Sequence, residues 1–316
     1  MNTTASPHTY GLVVIGGAHP DRRGRIAGAT IPGVSNPGSM REDLGGAAFN
    51  SARAARMRGL VTALVSARGG DLAAAAVEAA IGDAGITDLS ANFLDRSTPG
   101  YTAILDAEGG LVIALADMAL YETGLPRHLR RSAIRATIAS AGAVLVDANL
   151  PTDAIGAIMD AATGPVFGNA VSPVKAVRLA PHAAPFACVF MNRAEAQALT
   201  GEAAGDAELI AALRRAGFRS AVVTAGKEPV LAFAGGNALR LRPPHVAVVD
   251  VTGAGDALCG AAIAALTCGL SLAQAVRHGV TAACLTLQSP QAVAETLAGQ
   301  AFEAQLADVP AAEIIE

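Results

Sequence analysis

The strongest constraint on this chain is an alternation that recurs along most of its length. Strand-like runs, apolar throughout rather than on every second residue, take turns with longer helical patterns. "YGLVVIGGA" (10–18), "VTALVSARGGD" (61–71) and "AGAVLVDANLP" (141–151) read as strands. "GGAAFNSARAARMRG" (45–59) and "LAAAAVEAAIGDAG" (72–85) read as helices. "PFACVFMNRAEAQALTG" (185–201) is strand then helix, and "AELIAALRRAGFRSAVVTAG" (207–226) is helix then strand. A strand that is apolar at every position is covered on both faces, and parallel neighbours need a helical crossover between them. The order therefore predicts an α/β fold: a three-layer α/β/α sandwich around a mostly parallel sheet. The length leaves room for one large domain or two ordinary ones, of which a single domain over 1–316 is expected. A chain of 316 residues that is 52% hydrophobic has the material for such a core.

Two segments break the alternation. Residues 19–44 are polar and rich in glycine and proline, and residues 96–117 read as two alternating strands around the turn signal "DAEGG". Together they predict a small β-lid over one end of the sheet, the alternative being an ordinary surface hairpin.

Composition removes several classes of function. The net charge is -4, there is no Trp, and no basic block occurs, so a nucleic-acid partner is not expected. No uncharged apolar run reaches the length of about 18 residues that a membrane span needs. The N-terminus has no basic region before its short apolar core "LVVI" and reads as a polar tail leading into the first strand. The four cysteines form no CxxC pair, which fits buried thiols in the cytoplasm.

The chemistry concentrates in "VVDVTGAGDALCG" (248–260). It is neither a Rossmann fingerprint, lacking the third glycine, nor a Walker A loop, since Gly226 and Lys227 are followed by Glu228. Yet Gly253, Ala254 and Gly255 stand where a helix begins. Backbone N–H groups there point outward and favour phosphate, or the charge that develops as phosphate is transferred. Asp256 falls in the first turn, placed either to cap the helix or to take a proton from an attacking hydroxyl.

This stretch resembles the C-terminal signature of the ribokinase-like, or PfkB, family of sugar and nucleoside kinases, and other pieces follow the family's order. Gly45, Gly46 and Asn50 in "GGAAFNSA" resemble its sugar-binding motif, and Asp21 resembles its ribose-binding aspartate. "MNRAE" resembles the motif that organises Mg²⁺, through Asn192 and Glu195, although the same spacing is a capping box. Thr224 and Gly226 in "VTAG" resemble the strand end that contacts ATP, while Asp250 and Thr252 match positions where members often bind a monovalent cation such as K⁺. "SNPGSMREDLGG" and "STPGYTAILDAEGGLVIALADM" are similar to the pseudouridine kinases within the family.

The resemblance implies a kinase that uses ATP and Mg²⁺, with Asp256 as base and Gly253, Ala254 and Gly255 stabilising the transferring group. The substrate would be a small nucleoside or sugar, with pseudouridine expected first. A ribokinase, a fructokinase, another nucleoside kinase or a non-catalytic nucleoside-binding regulator are the alternatives. Asp147, at a strand end, would hold metal-bound water. Asp117 would reach substrate from the hairpin, and Lys175 would approach the phosphates or lie in solvent. Family members commonly pair through lid edges, so a homodimer is expected. The family's usual Asn-x-Asp is here His19-Pro20-Asp21, followed by Arg22 and Arg23, and Phe49 stands where relatives often carry a basic residue.

Overall fold

The computed structural model describes residues 9–201 and 205–315. The expected polar tail lies, over residues 1–8, outside them. Among the described residues the main sheet has ten strands. From one edge they run Thr87–Asp88, Thr62–Val65, Leu12–Ile15, Val144–Asp147, Val166–Asn169, Cys188–Asn192 and Ser220–Ala225, all parallel to their neighbours. Glu228–Ala234, Asn237–Leu241 and Glu313–Ile314 extend the other edge by antiparallel pairing.

The continuous apolar runs are explained by what covers them. Strand side chains alternate between faces. Val13 and Ile15 pack on one face with Val146 and with Ile134, Ile138, Ile155 and Leu213 of the helices beneath. Leu12, Val14 and Leu145 pack on the other face with Phe49, Ile81, Ile263 and Val276. The five strand residues Leu12 to Ile15 and Leu145 are fully buried. Each such burial contributes about 1.5–3 kcal/mol. Neither face can be polar, which is why the runs show no period of two.

A second sheet stands off the first. Its strands run Gly38–Gly45, His19–Ile26, Gly100–Leu105, Leu111–Asp117. His19–Ile26 is antiparallel to Gly38–Gly45 and parallel to Gly100–Leu105. The hairpin closes through Asp106, whose N–H donates to the Gly110 carbonyl and whose Oδ1 accepts from the Gly110 N–H, 2.8 and 2.6 Å. Both segments that interrupt the alternation therefore lie in this lid.

Candidate active site

A cavity of about 620 Å³ lies between the lid and the C-terminal ends of the parallel strands. Open α/β sheets receive ligands at that end, because the loops there splay apart. Asn149, Asn169, Asn192 and Thr224 reach it from strand ends, His19, Asp21, Tyr101 and Ala116 from the lid, and Thr252, Gly253, Gly255 and Asp256 from the glycine loop.

The glycine loop is built as the residue types require. The helix Ala254–Thr267 starts on Gly253, which has a left-handed φ of 74°. A Cβ there would come within 1.9 Å of the Ala292 carbonyl oxygen, so both the backbone angle and the space demand glycine. The first-turn N–H groups have no partner within the helix, and Gly253 and Gly255 line the cavity.

Asp256 sits in that first turn, partly exposed to the cavity. Asn50 Nδ2 donates to its Oδ2 at 3.1 Å, and Asn169 Nδ2 to its Oδ1 at 3.0 Å. Burial pushes its carboxyl up to about 7; the two amides lower it in part, and the charges of Asp147 and Asp21 add to the rise. A carboxylate held from both sides, with a proton affinity near neutrality, suits general-base work better than capping. Asn50 Oδ1 is buried without a hydrogen-bond partner among the described residues.

Asp21 lies beside Gly45, where a Cβ would approach its Oδ2 to 2.5 Å, and its Oδ1 is 3.4 Å from His19 Nε2. His19 in turn is tied through Nδ1 to the Tyr121 hydroxyl at 3.0 Å. That hydroxyl donates to the Ala18 carbonyl and accepts from the Ala18 N–H, both at 2.9 Å. Gly46 caps the helix Ala47–Met57 with φ 101°, tight against the Gly17 carbonyl.

Asn192 and Glu195 form a complete capping box. Asn192 N–H donates to Glu195 Oε2 and Asn192 Nδ2 to Oε1, 2.7 and 2.8 Å, while Glu195 N–H donates to Asn192 Oδ1 at 2.9 Å. Both residues line the cavity as well, and burial raises the Glu195 carboxyl. Each oxygen of Glu195 retains a lone pair, which fits a water on a hydrated Mg²⁺. Lys175 faces the cavity from the short helix Pro173–Ala176, its Nζ 2.6 Å from Asn149 Oδ1, and burial lowers its proton affinity.

Three expectations are corrected. Asp147 is fully buried and outside the cavity lining. Its oxygens accept from the Gly17 N–H, the Asn149 N–H and Asn149 Nδ2 at 2.8 to 3.0 Å, so it ties two strand ends together rather than facing a metal. Asp117 is exposed; Ala116 and Met118 on either side of it line the cavity, and the two-residue period turns Asp117 away. Gly226 lies outside the lining and forms, with Lys227, the turn between Ser220–Ala225 and Glu228–Ala234, leaving Thr224 as the cavity residue. Asp250 Oδ1 accepts the Thr252 N–H at 2.8 Å and its Oδ2 accepts from Arg23 Nη1 at 2.9 Å.

Sequence reasoning left out Tyr121 and Val171. Val171 lines the cavity with φ 65°, a rare conformation for a β-branched residue, held by its N–H to Asn169 Oδ1 at 3.3 Å. Nothing local signals either residue: a valine argues against a left-handed angle, and Tyr121 meets its partners across more than 100 positions.

Comparisons agree with this geometry. The model of the pfkB family of carbohydrate kinases matches residues 12–297. A pseudouridine kinase of Escherichia coli (strain K12) is 27% identical over 273 residues, 84% of this chain and 87% of its own. The structure of a carbohydrate kinase from Agrobacterium tumefaciens superposes with a TM-score of 0.84 at 44% identity, covering 96% of this chain and 99% of that one. An Arabidopsis thaliana ribokinase complexed with ribose and ATP gives 0.81 at 20% identity, over 94% and 98% of the two chains, and so speaks for the fold. With its ribokinase-like sheet, its lid and its glycine-loop aspartate, the chain belongs to the pfkB family of carbohydrate kinases.

Proposed function

We propose that this kinase transfers the γ-phosphoryl group of ATP to the 5′-hydroxyl of a ribose-containing nucleoside, with pseudouridine the first acceptor to test. One observation carries the reading. Asp256, gripped by two asparagine amides, lines the same cavity as Gly253 and Gly255 of the helix start it occupies.

Asp21, Gly45, Gly46 and Asn50 would hold the ribose. Asn192, Thr224, Thr252 and Lys175 would meet the nucleotide. Asp256 takes the proton of the acceptor hydroxyl as its oxygen bonds to the γ-phosphorus and the bond to the β-phosphate oxygen breaks, leaving ADP. The N–H groups at Gly253, Ala254 and Gly255 stabilise the charge carried by the transferring group. Bound Mg²⁺, held by Glu195 through water, would neutralise phosphate charge.

The pseudouridine kinase relative supports a nucleoside acceptor, whereas the more similar carbohydrate kinase keeps a sugar acceptor as the second reading. We also infer a homodimer through the lid. The edge strand Leu111–Asp117 is exposed along its whole length and carries Leu111, Ile113 and Leu115 at 61%, 64% and 70% exposure. A long apolar edge of this kind is a template for pairing. Cys188, Cys259 and Cys284 are buried thiols as expected, whereas Cys268 is exposed; all four are free, which supports a reducing cytoplasm.

Release of ADP, measured with and without Mg²⁺ against a panel of nucleosides and sugars, tests the acceptor. Saturable turnover of pseudouridine supports the proposal, preference for ribose or a ketohexose moves the chain to the second reading, and tight nucleoside binding without turnover marks a non-catalytic binder.

A further inference from the structure

Arg23 and Asp250 are 227 positions apart, yet Arg23 Nη1 lies 2.9 Å from Asp250 Oδ2. Arg23 belongs to the lid strand His19–Ile26, and Asp250 opens the glycine loop. The pair is mostly shielded, the side chains being 22% and 19% exposed. A second tie lies close by: Arg41, also in the lid, donates to the Pro290 carbonyl at 2.6 Å. From the body side the loop is held by the Val249 N–H on the Leu287 carbonyl, 2.7 Å, and by the packing of Gly253 on Ala292. The loop is thus clamped between lid and body.

A carboxylate at this position creates an electrostatic conflict. Three residues further on, the backbone is arranged to receive phosphate charge, and an unneutralised Asp250 would oppose it. Asp250 nevertheless orders the loop, because it accepts the Thr252 N–H. Burial works against its charge, but the Thr252 bonds and the Arg23 guanidinium outweigh burial and hold its carboxyl below the usual range. A neighbouring cation resolves the conflict, and here that cation is attached to the lid.

We propose that Arg23 takes the place of a free monovalent cation at Asp250, so that lid closure itself delivers the positive charge that sets the glycine loop. Arg23 is a positioning residue: it touches Asp250, and Asp250 shapes the turn that leads to Gly253 and Asp256. The catalytic consequence rests on the kinase reading above; the ion pair and its effect on stability do not.

The test compares KCl with choline chloride at equal ionic strength, reading both turnover on the best acceptor and melting temperature. The parent should show the same turnover and the same melting temperature in both salts. Arg23→Gln should lose on the order of tenfold in turnover in choline chloride, the worth of one charge-assisted hydrogen bond. KCl should restore most of that loss and raise the melting temperature of this variant alone. Arg23→Lys, which keeps the charge, should stay near the parent without K⁺. A parent that needs K⁺, or an Arg23→Gln variant that matches the parent in choline chloride, overturns the proposal. If no acceptor is turned over, the kinase reading fails separately and the melting temperatures still decide: equal salt responses of parent and Arg23→Gln overturn the substitution of Arg23 for the ion.

Discussion

As the proposed base, Asp256 would couple catalysis to pH and stability through one proton. Its carboxyl is raised from an ordinary 3.8 to about 7, so kcat/KM for the free enzyme should rise with pH through about 7 as the base loses its proton. A pH–rate profile checks this, and a flat profile from pH 5 to 8 would contradict it. Stability should move the other way. The folded chain binds this proton more tightly than the unfolded chain, so the stabilisation it gives is complete below the unfolded value and is lost as pH rises through about 7. Asp256→Asn removes that dependence, and its melting temperature should gain on the parent's between pH 5 and 8. The candidacy of Asp256 was legible because glycines, an acid and a helix start lie within a few positions. Its grip by Asn50 and Asn169, 206 and 87 positions away, was not, because only the folded sheet brings them together. Asp117 illustrates the opposite failure: the right residue type sits one place out of phase with the strand face that meets the cavity.

Elements explain why some site residues are architectural. Asp147 joins the end of Val144–Asp147 to the turn after Leu12–Ile15 through the Gly17 N–H. Asp147→Ala leaves that buried donor unsatisfied and should cost about 3 kcal/mol in denaturant unfolding. A variant with parent stability but weakened Mg²⁺ dependence would restore the metal role. Gly253→Ala meets both a left-handed angle and the Ala292 carbonyl. It should cost about 1–3 kcal/mol and most of the activity, read by thermal melting beside an ADP-release assay. The strands themselves were legible from their unbroken apolar runs, since burial on both faces permits nothing else. The capping box at Asn192 was legible from spacing alone, whereas the ion pair at Asp250 was not, because an arginine in a polar lid segment gives no sign of its distant partner.

Across the whole molecule, the lid and the glycine loop form two sides of one cavity; Arg23 ties the lid to the loop and Arg41 ties it to the body at Pro290. The outer edge of the lid carries the inferred dimer contact. Ile113→Lys with Leu115→Glu should shift the chain to a monomer in light scattering without lowering its melting temperature by more than a few degrees, since both side chains are exposed in the single chain. An unchanged mass would remove the contact from the account. The three-layer plan and the lid were readable from the alternation and its two interruptions; the contact of His19 with Asp21 and Tyr121 was not, because Tyr121 arrives from a distant part of the chain. If Asp256 is the base of the phosphoryl transfer, Asp256→Asn should fold, still bind nucleotide and lose a factor of about 10²–10⁴ in kcat on the best acceptor; near-parent turnover by this variant would remove Asp256 from that role.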